Sequence, residues 1–194
     1  MKTYEHTIQV SRSFGDFVTL VHSSDSHIGA PNVDEKLAKS VVSRVKSDDQ
    51  CYWIDTGDMC ELITRTDPRF EAGDMPSWFD FSMMRDPAKY QALHYGEIFG
   101  PISDKCLATV SGNHEDSIQK HNDRDIYTEI SDALGIAKER RFGTGGFLRL
   151  RFVGPSGKVL WRPVIFMHHG TAGGSTKSAI VNQLEKLPKA FDAD

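Results

Sequence analysis

Four short apolar runs, each ending in a polar cluster, constrain the fold of this chain more than any other feature. They are FVTLVHSSDSH (17–27), CYWIDTGD (51–58), LATVSGNHE (107–115) and PVIFMHH (163–169). Short runs of β-branched and aromatic residues bounded by glycine and polar residues are typical of buried strands that lead into loops. We therefore expect a sheet core that presents Asp, His and Asn side chains where its strands end.

Apolar residues also recur at helical spacing in two other stretches. The two sets are Val33, Leu37, Val41 and Val45, after a Pro-Asn turn, and Ile180, Leu184 and Leu187, after a Gly-Gly-Ser-Thr opening. In addition, FLRLRFVGPSGKVLWRPVIF has two alternating stretches around Gly-Pro-Ser-Gly, which predicts a hairpin that leads into the last strand. The expected fold class is α/β, a mixed β-sandwich flanked by helices.

Length and composition indicate a single soluble domain, residues 1–194. A chain of 194 residues can bury a core without disulfides, and its 39% hydrophobic and 26% charged residues are near globular averages. No apolar run approaches the ~20 residues of a membrane helix, so no membrane partner is expected. The N-terminus has no apolar signal-peptide core, and three cysteines cannot all pair within one chain, which predicts a reducing, cytoplasmic setting.

A long connection at about residues 62–106 has many aromatic residues and little clean periodicity. Its aromatic residues include Trp78, Phe79, Phe81, Tyr90, Tyr95 and Phe99. A connection of this length inside a compact domain is usually functional or disordered, and the aromatic content argues against disorder. We expect a partly helical insertion packed near the site.

Two aspartates and a histidine at the first two strand ends are candidate metal ligands. Asp25 and His27 stand two residues apart, so on an extended strand end both side chains would face the same way and one metal could take both. Asp58 follows Gly57, where a tight turn would present a carboxylate able to bridge two cations. Ligands of layered α/β folds gather at the carboxyl ends of strands, so these side chains are expected to meet.

The third and fourth strand ends add an amide and several imidazoles. Asn113 and His114 follow the third run, and His168 and His169 follow the fourth. Carboxylate, amide and imidazole donors together suit Mn²⁺, Fe or Zn²⁺ better than Ca²⁺ or Mg²⁺, which favour all-oxygen shells. Two such ions ~3.5–4 Å apart can hold a phosphate and generate a hydroxide near neutral pH, which predicts a hydrolytic site.

In combination, the motifs D-x-H, GD, GNHE and HH, in that order, resemble the pattern of the calcineurin-like metallophosphoesterase superfamily. The resemblance spans residues 18–170 and is most specific in D-x-H and GNHE. It implies a four-layer αββα sandwich with two metal ions, of which Mn²⁺ is the first choice and Fe or Zn²⁺ the alternatives. The implied activity is hydrolysis of phosphate esters, with diesters preferred to monoesters.

Five metal ligands follow from the resemblance. They are Asp25 and His27 for the first metal, Asp58 as the bridge, and Asn113 and His168 for the second metal. His168 is preferred to His169 because family members place the ligand directly after the strand, followed by one variable residue.

Further roles follow from the same resemblance. His114 would lie beside the metals as the catalytic group, protonating the leaving oxygen or stabilising the charge of the transition state. Glu115 and Glu61 would orient neighbouring groups around the metals.

One element of the family pattern is missing from this sequence. The pattern closes with a strand and a G-H-x-H motif that gives one histidine to each metal, and the chain contains no such motif. The sandwich is therefore expected to lack its last strands. The vacant metal positions would be filled by water, by His169, by His22, or by a residue of a second chain if the protein self-associates. Two alternatives stay open, a phosphate- or partner-binding module without catalysis and an inactive truncated fragment.

Other features bear on the substrate. Protein Ser/Thr phosphatases of the family have Asp-Arg-Gly after GD and Arg before GNHE, whereas this chain has Met59-Cys60-Glu61 and Ser111, which disfavours that activity. Residues 1–137 carry 13 Lys and Arg against 23 Asp and Glu, and residues 138–194 carry 10 against 4. An acidic half suits cations and a basic half suits an anionic substrate, so nucleic acid stays open as a partner. The basic residues concerned are Lys138, Arg140, Arg141, Arg149 and Arg151.

Overall fold

Strands and helices alternate along the part of the chain that the structure describes. This computed structural model describes residues 1–11, 17–64, 67, 69–71, 73 and 75–170. The strands are β1 (Lys2–Gln9), β2 (Thr19–Ser23), β3 (Cys51–Asp55), β4 (Cys106–Thr109), β5 (Gly146–Val153), β6 (Val159–Trp161) and β7 (Val164–Met167). The α-helices are α1 (Glu35–Ser47), α2 (Pro87–Phe99), α3 (Asn113–Asn122) and α4 (Ile126–Ala133), and 3₁₀ helices span Phe81–Arg85, Gly100–Lys105 and Lys138–Arg140. The helix predicted around Ile180, Leu184 and Leu187 lies outside the described residues.

The strands form two sheets. In the first sheet β2, β3 and β4 run parallel in that order. In the second sheet β1 runs parallel to β5, while β6 and β7 pair antiparallel with successive halves of the other edge of β5. The predicted mixed α/β class and the antiparallel pairing around Gly-Pro-Ser-Gly are confirmed. The sequence interpretation did not include β1, whose Tyr4 and Ile8 alternate with exposed polar residues.

The two sheets pack face to face through a layer of apolar side chains. On β5, Leu148 and Leu150 are buried whereas Arg149 between them is exposed, as period-2 alternation requires. The largest fully buried members of this layer are Ile8, Leu107, Leu148 and Met167. Each such side chain contributes roughly 1.5–3 kcal/mol when it leaves water, so the layer fixes the register of the strands that enter it.

A helical layer covers the other side of the parallel sheet. All four described α-helices contribute buried residues to one apolar cluster around Trp53 of β3. In α1, Val42 and Val45 are buried while Leu37 is 61% exposed, so the predicted helix is present but its first turn does not face the core. The second helical layer of an αββα arrangement is not among the described residues.

The aromatic-rich connection between β3 and β4 contributes to this layer through α2. Phe99 stacks on Trp53 with ring centroids 5.5 Å apart, and Tyr95 stacks on Phe99 at 4.5 Å. By contrast, the side chain of Phe81 is 90% exposed. Helix α2 therefore belongs to the core next to the parallel sheet. Across the described residues, no helix combines the length and the apolar character needed to cross a membrane.

Candidate metal centre

Four loops converge at one edge of the sandwich. The loops after β2, β3 and β4 start at the same edge because these strands are parallel. The loop after β7 reaches that edge from the second sheet, where His169 Nδ1 donates to the carbonyl oxygen of Thr56 at 2.7 Å. The predicted meeting of polar strand ends is therefore observed.

The loops after β2 and β3 run side by side. The amide of Asp25 donates to the Gly57 carbonyl at 2.9 Å, and the amide of His27 donates to the Asp58 carbonyl at 3.0 Å. Gly57 has φ +98°, and a Cβ at Gly57 or Gly112 would collide with the facing loop. Two glycines thus allow the loops after β3 and β4 to touch.

Glu115 ties the loops after β3 and β4 together. Its carboxylate accepts from the amides of Asp58 at 3.0 Å, Met59 at 2.9 Å and Gly112 at 2.7 Å. The residue is 1% exposed, and burial raises the pKa of its carboxyl group. The predicted orienting role fits this placement, since the backbone that carries Asp58 is held by a side chain of α3.

Asp58 occupies the centre of the cluster, and its side chain is 4% exposed. Its Oδ1 accepts from the amide of His114 at 2.9 Å. Its Oδ2 lies 3.8 Å from His27 Nε2 and 3.4 Å from His169 Nε2. Oδ2 is therefore the Asp58 oxygen that lies near both imidazoles.

Two groups of donor atoms share Asp58. The first comprises His27, Asp58 and His114, and the second comprises Asp25, Asp58 and His169, with the donor atoms of each group within 4.8 Å of one another. Asp25 also links the groups, because its Oδ1 lies 4.0 Å from His27 Nε2. The side chain of Asp25 is 60% exposed, whereas His169 is 12% exposed. The cluster is therefore open on the Asp25 side.

Asn113 joins the second group, as predicted. Its Oδ1 lies 3.0 Å from His169 Nε2. Asn113 is the first residue of α3, so its side chain starts from the same helix N-terminus that carries His114. Asn113 and His169 together supply an oxygen and a nitrogen donor on one side of Asp58.

The histidine tautomers fit metal coordination. His169 Nδ1 donates to a backbone carbonyl, which leaves the Nε2 lone pair facing Asp58. For His27, Nδ1 lies 2.9 Å from Glu61 Oε2 without hydrogen-bonding geometry, and Nε2 is the nitrogen that lies 3.8 Å from Asp58 Oδ2. Metal-binding histidines commonly use one nitrogen for the ion and the other for such an acceptor. Ligands ~2.0–2.2 Å from one ion lie somewhat over 3 Å from each other, close to the separations observed here.

The structure corrects the choice between the two adjacent histidines. Met167 points into the inter-sheet layer and Phe166 points to the opposite face, so alternation sends His169 inward and His168 outward. The His168 ring stacks on Phe166 with centroids 6.1 Å apart, and its Nδ1 accepts from the amide of Gly170. His169 is the residue that reaches the cluster, whereas His168, which was predicted as the ligand, lies outside both groups of donor atoms.

Asp25 and His27 do not lie on the extended strand end that was expected from their spacing. Strand β2 ends at Ser23, and the two residues are not extended. Asp25 has φ 53°, His27 has φ 44° and Asp58 has φ 51°. Left-handed backbone at residues other than glycine costs of order 1–3 kcal/mol each and is concentrated at functional sites. Three predicted ligands therefore share a strained conformation that surrounding hydrogen bonds maintain.

The other predicted supporting residues lie one step from the cluster. Glu61 contacts His27 through its carboxylate, and its backbone carbonyl accepts from His114 Nδ1. His22 Nε2 lies 2.7 Å from the Thr56 hydroxyl. His22 therefore supports the segment that holds His169 and is not placed as a ligand.

A buried carboxylate beneath the site was not predicted. Asp55 is fully buried and accepts from Ser23 Oγ at 2.6 Å, Tyr95 Oη at 2.9 Å and the Gly57 amide at 2.8 Å. Burial raises its pKa to about 6. The sequence signal was present, since Asp55 ends an otherwise apolar run, but its partner Tyr95 lies 40 residues away.

The chain matches no protein-family model, and no curated protein or solved structure matches it either. Its chemistry must therefore be inferred from the geometry of the site itself.

Proposed function

We propose that this protein is a metallophosphoesterase that hydrolyses phosphate esters, diesters in preference to monoesters, with two divalent ions held at the Asp58 cluster. The observation that carries the proposal is the position of Asp58 Oδ2 between His27 Nε2 and His169 Nε2, at 3.8 and 3.4 Å. A buried carboxylate flanked by two imidazoles has the composition of a dinuclear site for Mn²⁺, Fe or Zn²⁺. The finer fold assignment, a calcineurin-like αββα sandwich, belongs to the same proposal.

The residues divide into two donor sets. Asp25 and His27 would hold one ion and Asn113 and His169 the other, with Asp58 shared between them. This arrangement follows the sequence prediction except that His169 replaces His168. The chemistry supplied by a bound ion pair is polarisation of a phosphoryl oxygen and a lowered pKa for a water molecule.

His114 is suited to act on the leaving group. Its Nδ1 donates to the Glu61 carbonyl, which fixes the ring and leaves Nε2 on the side of the cluster. Its ring lies edge-on to His27 with centroids 4.6 Å apart. In this role the water oxygen forms a bond to phosphorus and its proton passes to solvent, and the ester P–O bond breaks with its electron pair on the departing oxygen. His114 Nε2 protonates that oxygen and then regains a proton from solvent.

His114 also belongs to the first donor group, so a second role as a metal ligand has to be considered for the same side chain. The amide of His114 already supports Asp58 Oδ1, and Asp25 Oδ1 offers an oxygen donor near His27. We favour the acid role because Asp25 Oδ1, 4.0 Å from His27 Nε2, can supply an oxygen donor beside His27 in place of His114, although the donor atom of Asp25 also lies within 4.8 Å of that of His169.

Metal content and turnover measured together test the proposal. The purified protein is stripped with chelator, reconstituted with Mn²⁺, Fe²⁺ or Zn²⁺, and assayed with bis(p-nitrophenyl) phosphate and p-nitrophenyl phosphate. We expect two ions per chain, turnover that chelation abolishes and metal restores, and faster cleavage of the diester. Two bound ions without turnover would indicate a phosphate-binding module, and absence of bound ions would exclude the dinuclear site.

A further inference from the structure

Two cavities open on either side of His114. The first has a volume of about 560 Å³ and lies on the Asp25 and His27 side, and the second has a volume of about 410 Å³ and lies on the Asn113 side. Glu61, Arg69 and His114 line both cavities. Both volumes fall within the ~300–1,000 Å³ of small-molecule sites. A phosphate at the cluster would thus have a separate compartment for each of two ester arms.

The first cavity suits a neutral group that bears a ring. Its apolar lining comes from Val33, Ile63, Phe70 and Met75. Asp25, Glu61 and Glu71 also line this cavity, against Arg69 as the cation. Glu61 and Glu71, which are not ligands in the proposed centre, disfavour an arm that carries a further negative charge, whereas an uncharged ring can pack on Phe70.

The second cavity has a different chemistry. Its lining offers hydroxyl, amide and imidazole groups from Thr64, Asn113, Ser117, His121 and Asn122. The apolar members, Leu62 and Ile118, are each only 5% exposed. Such a wall binds hydroxyl groups better than an apolar ring, because each buried hydroxyl needs a hydrogen-bond partner.

Arg69 stands where the two cavities meet. Its Nη2 and Nε donate to Asp67 at 2.8 and 3.1 Å, and its side chain is 60% exposed. Asp67 holds the guanidinium from one side, so the remaining donors are available to an anion at the cluster. A planar guanidinium is well matched to phosphate oxygens.

We propose that the substrate is an unsymmetrical phosphodiester, with a neutral ring-bearing arm such as a nucleoside in the first cavity and a hydroxyl-bearing arm in the second. This inference rests on the hydrolytic function proposed above. Arg69 contacts a non-bridging phosphate oxygen between the two arms. Phe70 determines specificity for the ring-bearing arm, and Ser117 and Asn122 for the other.

Two chromogenic diesters with one leaving group test the inference. They are thymidine 5′-(p-nitrophenyl phosphate) and methyl p-nitrophenyl phosphate, assayed with the Mn²⁺-loaded protein. We expect kcat/KM to be about tenfold higher for the thymidine ester, the size typical of one base packed on an aromatic side chain. Phe70→Ala should remove most of this advantage, so that the ratio of the two kcat/KM values approaches one. Ile63→Ala, in the same wall, should also lower the kcat/KM of the thymidine ester relative to that of the methyl ester. It replaces Phe70→Ala as the test if that variant does not fold.

Binding gives a second readout that does not depend on turnover. Calorimetric titration with thymidine 5′-(methyl phosphate) should give a Kd about tenfold lower than that for dimethyl phosphate. Arg69→Ala should weaken both ligands by a similar factor, whereas Phe70→Ala should bring the two Kd values close together. Arg44→Ala is the matched control, because Arg44 is exposed and lies near Cys51 at the opposite end of β3.

The outcomes separate the two proposals. Failure to cleave either ester would reject the hydrolytic function. Cleavage of the methyl ester without a gain for thymidine, or a gain that Phe70→Ala and Ile63→Ala leave intact, would overturn the assignment of the first cavity while the hydrolytic function stands.

Discussion

The parallel sheet and the end of β7 bring candidate metal ligands to the same cluster in different ways. At the parallel sheet, Asp58 and Asn113 follow glycines that fix both the turn and the direction of the next side chain. At β7, two histidines follow four apolar residues, and nothing within that run shows which side chain faces the core. The positions of the motif side chains could therefore be predicted from the sequence in the first region. In the second region the direction of each side chain depends on the register with a neighbouring strand.

The strongest test of the comparison removes the residue that both regions share. Asp58→Asn should lower metal content at both positions, because a neutral amide cannot bridge two cations. The rate should fall by more than the ~10–100-fold typical of residues that only support ligands. Elemental analysis and turnover of bis(p-nitrophenyl) phosphate measure both effects. Asp49→Asn, at an exposed turn before β3, is the control, and full metal with full activity in Asp58→Asn would remove Asp58 from the site.

A second test concerns a residue of the parallel-sheet region that is not needed as a ligand. His114→Ala should lower the rate by ~10²–10⁴-fold while metal content stays at the wild-type level. The loss should be smaller for p-nitrophenyl esters than for esters of poor leaving groups, since nitrophenolate needs little protonation. Metal content that falls together with the rate would instead assign His114 as a ligand.

The adjacent histidines after β7 provide a matched pair. His169→Ala should remove one metal and lower the rate by about 10²-fold, at the upper end of effects seen when coordination is disturbed. His168→Ala should change metal content and rate little, because its ring lies on Phe166 at the outer face. The opposite ranking of the two variants would restore the choice made from sequence.

A smaller loss of metal affinity is expected for a variant of Glu115, which joins the loops after β3 and β4. Glu115→Gln replaces one accepting oxygen with an NH₂ group that faces backbone N–H donors. Metal affinity, measured by titration of the stripped protein, should fall about tenfold. Glu5→Gln on the exposed face of β1 is the control. Unchanged affinity would show that the loops hold their positions without Glu115.

The smallest effect concerns stability in the stripped protein. The pKa of Asp55 is raised by burial from 3.8 to about 6, so between about pH 4 and 6 the folded state retains a proton that the unfolded state has lost. The stabilisation that this group contributes is therefore present at low pH and lost as pH rises through 6. The melting temperature of wild type should fall relative to that of Asp55→Asn across this interval. A difference that stays constant with pH would contradict the shift.

The sequence was informative where chemistry and local geometry coincide. Asp25, His27 and Asp58 were placed together correctly, although His27 reaches the cluster through left-handed backbone that no alternation rule could indicate. Strand β1 was missed because Lys2 and Glu5 give it the composition of a surface segment. Asp55 was missed as a buried group because its partner Tyr95 comes from a helix 40 residues away.

The phase of β7 illustrates what a single run cannot reveal. Leu148 and Arg149 of β5 show by alternation which face is buried. Leu148 pairs with Ile165 and Arg149 with Val164. Once this pairing is known, it shows which side chains of β7 face the buried layer. The missing information was therefore the register between two strands, and not the chemistry of the histidines.

The hold of Glu115 on two loops has a consequence for how ions would enter. Because three backbone amides converge on one buried carboxylate, the loops are ordered when the chain folds, and little conformational entropy is left to lose when an ion arrives. The base of the cluster is preorganised, whereas the side chain of Asp25 at the rim is 60% exposed and accepts a hydrogen bond from Ser24 Oγ. In the proposed metal centre, ion exchange would depend on the exposed carboxylate of Asp25 at the rim, without any need for the loops beneath it to open.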